Sequence, residues 1–135
     1  MRRNGGFTLV EVMISMLLFA ASLAAFTAFY ASTARLNESS RNLTRAMNDA
    51  RVVMEAIRDT AQASGLTGSG GVVTLYPQGS NLGVGFGLTS LRNEWVSTVY
   101  SNPSADPLPV TVQVTWQEAA GHSRSASLDS LVTRR

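Results

Sequence analysis

A chain of 135 residues, 44% hydrophobic and 15% charged with a formal net charge of +2, is long enough for one small domain and too short for two of ordinary size. Arg2 and Arg3 account for the whole excess, since without them nine arginines face nine acids, and the high pI therefore does not by itself point to nucleic acid. The absence of cysteine excludes a disulfide framework, a thiolate metal site, an iron-sulfur cluster and a cysteine nucleophile.

The first element is a long apolar helix. Gly and Pro are absent from Phe7 through Ser64, and no charge lies between Val12 and Ala34. At ~1.5 Å per residue, that charge-free run extends roughly 34 Å as a helix, enough for a bilayer core of about 30 Å. The strongly lipid-favouring side chains between Phe7 and Phe29 together contribute about 3 to 7 kcal/mol to insertion. Against them stands Glu11, a carboxylate that costs on the order of 3 kcal/mol in mid-membrane and less near the interface. Its cost calls for a cation, and no Lys, Arg or His lies between it and Arg35. A cut between Gly6 and Phe7 creates one: the new α-amine of Phe7 lies one helical turn before Glu11, or serves the Glu11 of an adjacent subunit.

The run Gly6-Phe7-Thr8-Leu9-Val10-Glu11, after a short basic leader and before a long apolar helix, resembles the cleavage and methylation signal of type IV prepilins and pseudopilins. The resemblance implies that prepilin peptidase cuts after Gly6 and methylates the amine of Phe7. It also implies that Glu11 attracts the N-terminus of a neighbouring subunit during filament assembly. The expected partners are prepilin peptidase, other pilin or pseudopilin subunits and an inner-membrane assembly platform. A secretory signal peptide has a shorter apolar stretch, roughly 7 to 15 residues, and a plain single-pass anchor has no need of Glu11. Arg35, Arg41 and Arg45 nearly balance Arg2 and Arg3 under the positive-inside rule, so the resemblance, not charge, puts the N-terminus in the cytoplasm and residues 35–135 in the periplasm. Ala21, Ala25 and Ala28 recur at helical spacing and allow close helix approach, or merely reflect the abundance of alanine. Many major pilins have a helix-breaking proline where this chain has Ala28, so a continuous helix suits a minor pilin or pseudopilin better.

Residues 35–64 continue the helix, to about 87 Å from Phe7 at ~1.5 Å per residue. Leu43, Met47, Ala50, Met54, Ile57 and Ala61 alternate spacings of four and three, which predicts an apolar stripe packed on the chain's own sheet, with Gly65 as the stop. Arg45 with Asp49 and Arg51 with Glu55 are expected as ion pairs one turn apart on the wetter side.

Composition changes at Ser64: nine of eleven glycines and all four prolines follow it, among short runs of Val, Thr and aromatic residues. Strands are expected at 71–77, weakly at 82–88, at 95–100 and, by strict alternation of Val110, Val112, Val114 and Trp116 with polar residues, at 110–116. A turn around Gly121 then returns 122–132 as a partner strand. The fold class is therefore α+β, and the order of elements resembles the pilin fold. The expected organisation is a cleaved leader 1–6, a transmembrane and filament-core helix 7–34, an amphipathic stem 35–64 and a small antiparallel β domain 65–135.

Chemistry is sparse. His122 is the one histidine and has no identifiable triad partners; Asp106, Glu118 and Asp129 lack EF-hand spacing; the glycines at 65–71 are not followed by Lys-Ser or Lys-Thr. No catalytic residue, metal or cofactor is expected, and no enzyme. The arginines of the C-terminal part are not interleaved with aromatic residues, so nucleic acid is not an expected partner. The expected function is that of a structural minor pilin or pseudopilin that takes part in assembly or priming of a type IV pilus or type II secretion pseudopilus. The alternative is a pilus-associated binding module whose C-terminal domain recognises DNA, a secreted substrate or a surface.

Overall fold

The structure is a computed structural model that describes residues 8–88, 90–119 and 121–134. Five elements follow in order: helix α1 (Leu9–Ser64), helix α2 (Val72–Leu75) and strands β1 (Trp95–Tyr100), β2 (Leu108–Gln117) and β3 (Ser123–Val132). They divide into two compact units, one of the described residues up to Glu38 and one from Ser39 onward.

In the first unit every described residue is exposed, including Phe19, Phe26 and Phe29. The mean hydropathy of the most apolar 18-residue window is 2.2, so this helix is long and apolar enough to cross a membrane. Four of its hydroxyls are satisfied within the helix. Ser15 donates to the Glu11 carbonyl (2.8 Å), Ser22 to Leu18 (2.8 Å), Thr27 to Ala24 (2.9 Å) and Thr33 to Phe29 (3.0 Å). Each of these four hydroxyls therefore finds an acceptor on its own helix.

In the second unit the sheet has the order β1-β2-β3, antiparallel throughout. β2 alternates buried and half-buried positions along its whole length, with Leu108, Val110, Val112, Val114 and Trp116 inward. The stem of α1 covers that face. Its fully buried residues are Ala46, Ala50, Val53, Ile57 and Ala61, with Met54 beside them. Four of the six residues of the expected stripe, Ala50, Met54, Ile57 and Ala61, are buried; Leu43 is exposed and Met47 half-buried, and Ala46 and Val53 are buried in addition. Three alanines, Ala46, Ala50 and Ala61, share this core with the valines of the sheet. α1 ends as expected at Gly65, whose φ is +84° and whose N–H donates to Ala61 O.

Two expected strands are absent. Residues 72–75 form the single turn α2, and 83–87 form turns. Val72 N and Val73 N donate to the carbonyls of Gly65 and Leu66, and Val72 is fully buried, so tertiary bonding overrides the strand preference of the Val-Val pair. A Cβ on Gly71 would come within 2.9 Å of Thr67 backbone atoms, and this close approach seats the turn. Leu88 N donates to Gly83 O, folding 83–88 back on itself beside β1. Tyr76 ties the connection down. Its carbonyl accepts the hydroxyls of Thr98 (3.1 Å) and Tyr100 (2.7 Å), its own hydroxyl bonds Thr60 Oγ1 (3.0 Å), and its ring stacks on Phe86.

Candidate functional site

The start of α1 follows from its first four described residues. Thr8 precedes the helix and its Oγ1 accepts the N–H of Glu11 (3.2 Å), so Thr8 is the N-cap and Glu11 the third helical residue. Thr8-Leu9-Val10-Glu11 has the spacing of a capping box, a role for Thr8 that hydropathy reasoning passed over although Thr-x-x-Glu was there to read. The Glu11 carboxylate itself has no hydrogen-bond or ion-pair partner among the described residues. It is the sole charge of the helix from Leu9 to Ala34. Gly6 and Phe7, the expected cleavage and methylation residues, lie outside the described residues.

Ala21, Ala25 and Ala28 are exposed on α1. Spacings of four and three bring them onto one face, at about 100° per residue. That face is bare of bulky side chains at those points, the condition for a second helix to approach closely.

The acids of the second unit are dispersed. Glu118 Oε1 accepts Ser39 Oγ (2.8 Å) and pairs with Arg124 Nε (3.4 Å), linking the start of the stem to the β2–β3 hairpin. Asp129 accepts Thr111 Oγ1 (2.6 Å), and Asp106 accepts Thr133 Oγ1 (3.0 Å). Among the described residues no three His, Cys, Asp or Glu side chains are grouped to hold a metal ion. The expected pairs of Arg45 with Asp49 and Arg51 with Glu55 do not form; Asp49 instead accepts Ser90 Oγ (3.1 Å), across from Glu94. Burial, chiefly, and the neighbouring Asp49 raise the Glu94 carboxyl above its ordinary value, although Oε2 accepts the Leu91 N–H (3.0 Å). Oε1 of Glu94 is buried with no partner. This pair clamps the loop before β1 to the stem and has the character of a structural contact.

Residues 1–27 match the family described as the prokaryotic N-terminal methylation motif. The chain carries the methylation motif characteristic of prepilins and pseudopilins. The match runs through Glu11 and into the exposed apolar helix, whose geometry is set out above from Thr8 onward. The stem packed on a three-stranded antiparallel sheet matches the pilin-like α+β fold. No curated protein and no solved structure matches the chain.

Proposed function

We propose that the protein is a structural minor pilin or pseudopilin, made as a prepilin, that takes part in assembly or priming of a type IV pilus or type II secretion pseudopilus. The observation that carries this reading is the coincidence of the methylation motif over 1–27 with an exposed apolar helix whose one charge is Glu11. In this reading prepilin peptidase cuts between Gly6 and Phe7 and methylates the new amine. The subunit waits in the inner membrane with residues 35–135 in the periplasm, and the assembly platform lifts it into the filament.

Glu11 performs no chemistry in this scheme. A carboxylate and an amine are each costly alone in an apolar setting and much less so together, so their meeting fixes the axial register of the incoming helix. Ala21, Ala25 and Ala28 give the same helix a face on which neighbouring helices pack. The deciding experiment is intact mass and N-terminal sequencing of the membrane-extracted protein. A chain that starts at Phe7 with one added methyl supports the proposal; one that retains Met1, or starts near Arg35, overturns it.

A further inference from the structure

The two edges of the sheet are treated differently. Along β1 three of the outward backbone groups are taken: Leu82 N donates to Val96 O (2.8 Å), Gly79 N to Thr98 O (3.1 Å), and Val96 N donates to Asn81 Oδ1 (3.3 Å). The connection between α2 and β1 thus covers the first part of that edge.

The other edge is open. Glu118 N donates to His122 O across the hairpin (2.9 Å), which sets the alternation of the ladder. Even-numbered residues of β3 therefore turn their backbone groups toward β2. Ser123, Ser125, Ser127, Asp129 and Leu131 turn theirs outward. Among the described residues, neither backbone nor side chain bonds this outer row. Two of the usual protections of an edge are missing too: β3 contains no proline, and its register with β2 runs unbroken from Ser123 to Val132; Arg124 and Asp129 are the strand's only charges. Beside it lies a cleft of about 250 Å3, walled by Arg51, Glu55 and Arg58 of the stem and by Leu128, Asp129 and Ser130 of β3. Arg58 Nη2 donates to Ser130 Oγ (2.8 Å); the helix wall carries two guanidiniums against one carboxylate, and the Asp129 carboxylate on the strand side is engaged by Thr111 Oγ1 (2.6 Å).

We infer that β3 is a strand-acceptor edge: it takes an extended segment of a different protein chain as a fourth strand, with an acidic side chain of that segment facing Arg51 and Arg58. A second copy suits the site less well: it would bring β3 itself, in which Arg124 and Asp129 cancel, to a helix wall that carries an excess of positive charge, whereas an acidic segment of another chain matches it. The backbone supplies the affinity of such an addition, and the alternate side chains over the cleft supply its selectivity.

The test uses the full chain in detergent micelles, with no filament required, so its outcome is independent of processing and assembly. The probe is an acetylated, amidated peptide of sequence Thr-Val-Thr-Glu-Thr-Val-Thr. The readout is hydrogen exchange at the amides of Ser125, Ser127 and Asp129. Millimolar peptide is expected to slow these amides about tenfold or more, as does incorporation into a sheet interior. A peptide methylated on alternate backbone nitrogens is expected to have no effect, and a Lys-for-Glu peptide to bind at least several-fold more weakly. Ser127→Pro removes the central outward donor and leaves the β2 ladder intact, so it should abolish protection of the two remaining amides, whereas Ser127→Ala should keep it. No slowing at any of the three amides, equal slowing by the methylated peptide, or normal protection in Ser127→Pro overturns the inference. Slowing that grows with protein concentration in the absence of peptide overturns the choice of occupant.

Discussion

Glu11 occupies two roles at once, as the third residue of a capped helix and as the one charge of an apolar span, and substitutions separate them. A glutamine keeps the side chain a capping box accepts but cannot pair with an ammonium. Glu11→Ala and Glu11→Gln are therefore both expected to insert in the membrane at least as well as the parent, since each removes a charge from lipid. Both should lose filament incorporation by about tenfold or more, because an unpaired buried charge on the partner costs about 3–5 kcal/mol. Fractionation of membrane and sheared filaments measures both arms. If Glu11→Gln assembles like the parent, the ion-pair role is wrong and capping suffices. Glu94 offers a second residue-scale prediction, in pH. Its carboxyl lies above the ordinary 4.5 in the folded state, chiefly through burial and then through Asp49. The folded state thus keeps this proton longer than the unfolded state, so the contribution of Glu94 to stability is greatest below about 4.5 and falls as pH rises through the folded value. Glu94→Gln carries no such penalty and still accepts the Leu91 N–H. It should raise the thermal midpoint at pH 7, and by less at pH 4. An equal gain at both pH values would show that packing, not ionisation, is responsible.

At the scale of elements, the contact between stem and sheet depends on small residues. Ala50 is fully buried, and Ala50→Leu should cost about 1–3 kcal/mol through overpacking, whereas Val52→Leu on the exposed side should be nearly neutral. Gly71→Ala should cost a similar 1–3 kcal/mol or so, because its Cβ meets Thr67 backbone atoms that cannot rotate away. Denaturant midpoints distinguish these variants. The same elements explain what the sequence disclosed. β2 was legible because every second residue from Val110 to Trp116 is apolar and the strand has one wet face, and β3 because its weaker alternation follows a glycine turn with φ of +80° at Gly121. Residues 71–77 misled because two β-branched residues before a proline look like a strand, while the donors of Val72 and Val73 are claimed by carbonyls at the end of α1. The stripe on the stem was legible in period and in four of its six residues, Ala50, Met54, Ile57 and Ala61; Ala46 and Val53 were missed because only the packed sheet decides how wide the covered face is. Near the candidate site, the cost of Glu11 and the motif around it were readable from order and spacing. The Thr8 cap needed backbone geometry to be noticed, and the partly covered and open edges of the sheet depend on long-range pairing that no local pattern encodes.

At the scale of the molecule, the division at Glu38 and Ser39 separates two kinds of stability. Beyond it, valines of β1 and β2 pack on the stem, and the hydrogen bond from Ser39 to Glu118 closes the near end. Before it, no described side chain is buried, so nothing in the first unit contributes packing to the protein's own core. Contributions from sites that share no partner add independently. Substitutions from Val12 to Ala34, including Ala25→Leu on the small-residue face, should therefore leave the unfolding midpoint of the second unit unchanged within about 0.5 kcal/mol while altering assembly. Ala50→Leu should do the reverse at the level of stability, lowering the midpoint without changing extraction from membranes. The double substitution should show the sum of both effects. Tryptophan fluorescence follows the second unit alone, because Trp95 and Trp116 are the two tryptophans of the chain and both lie in its sheet. A shift of that transition on changing Ala25 would mean that the span and the folded unit are energetically coupled, and the assignment of assembly to the first unit and folding to the second would have to be abandoned.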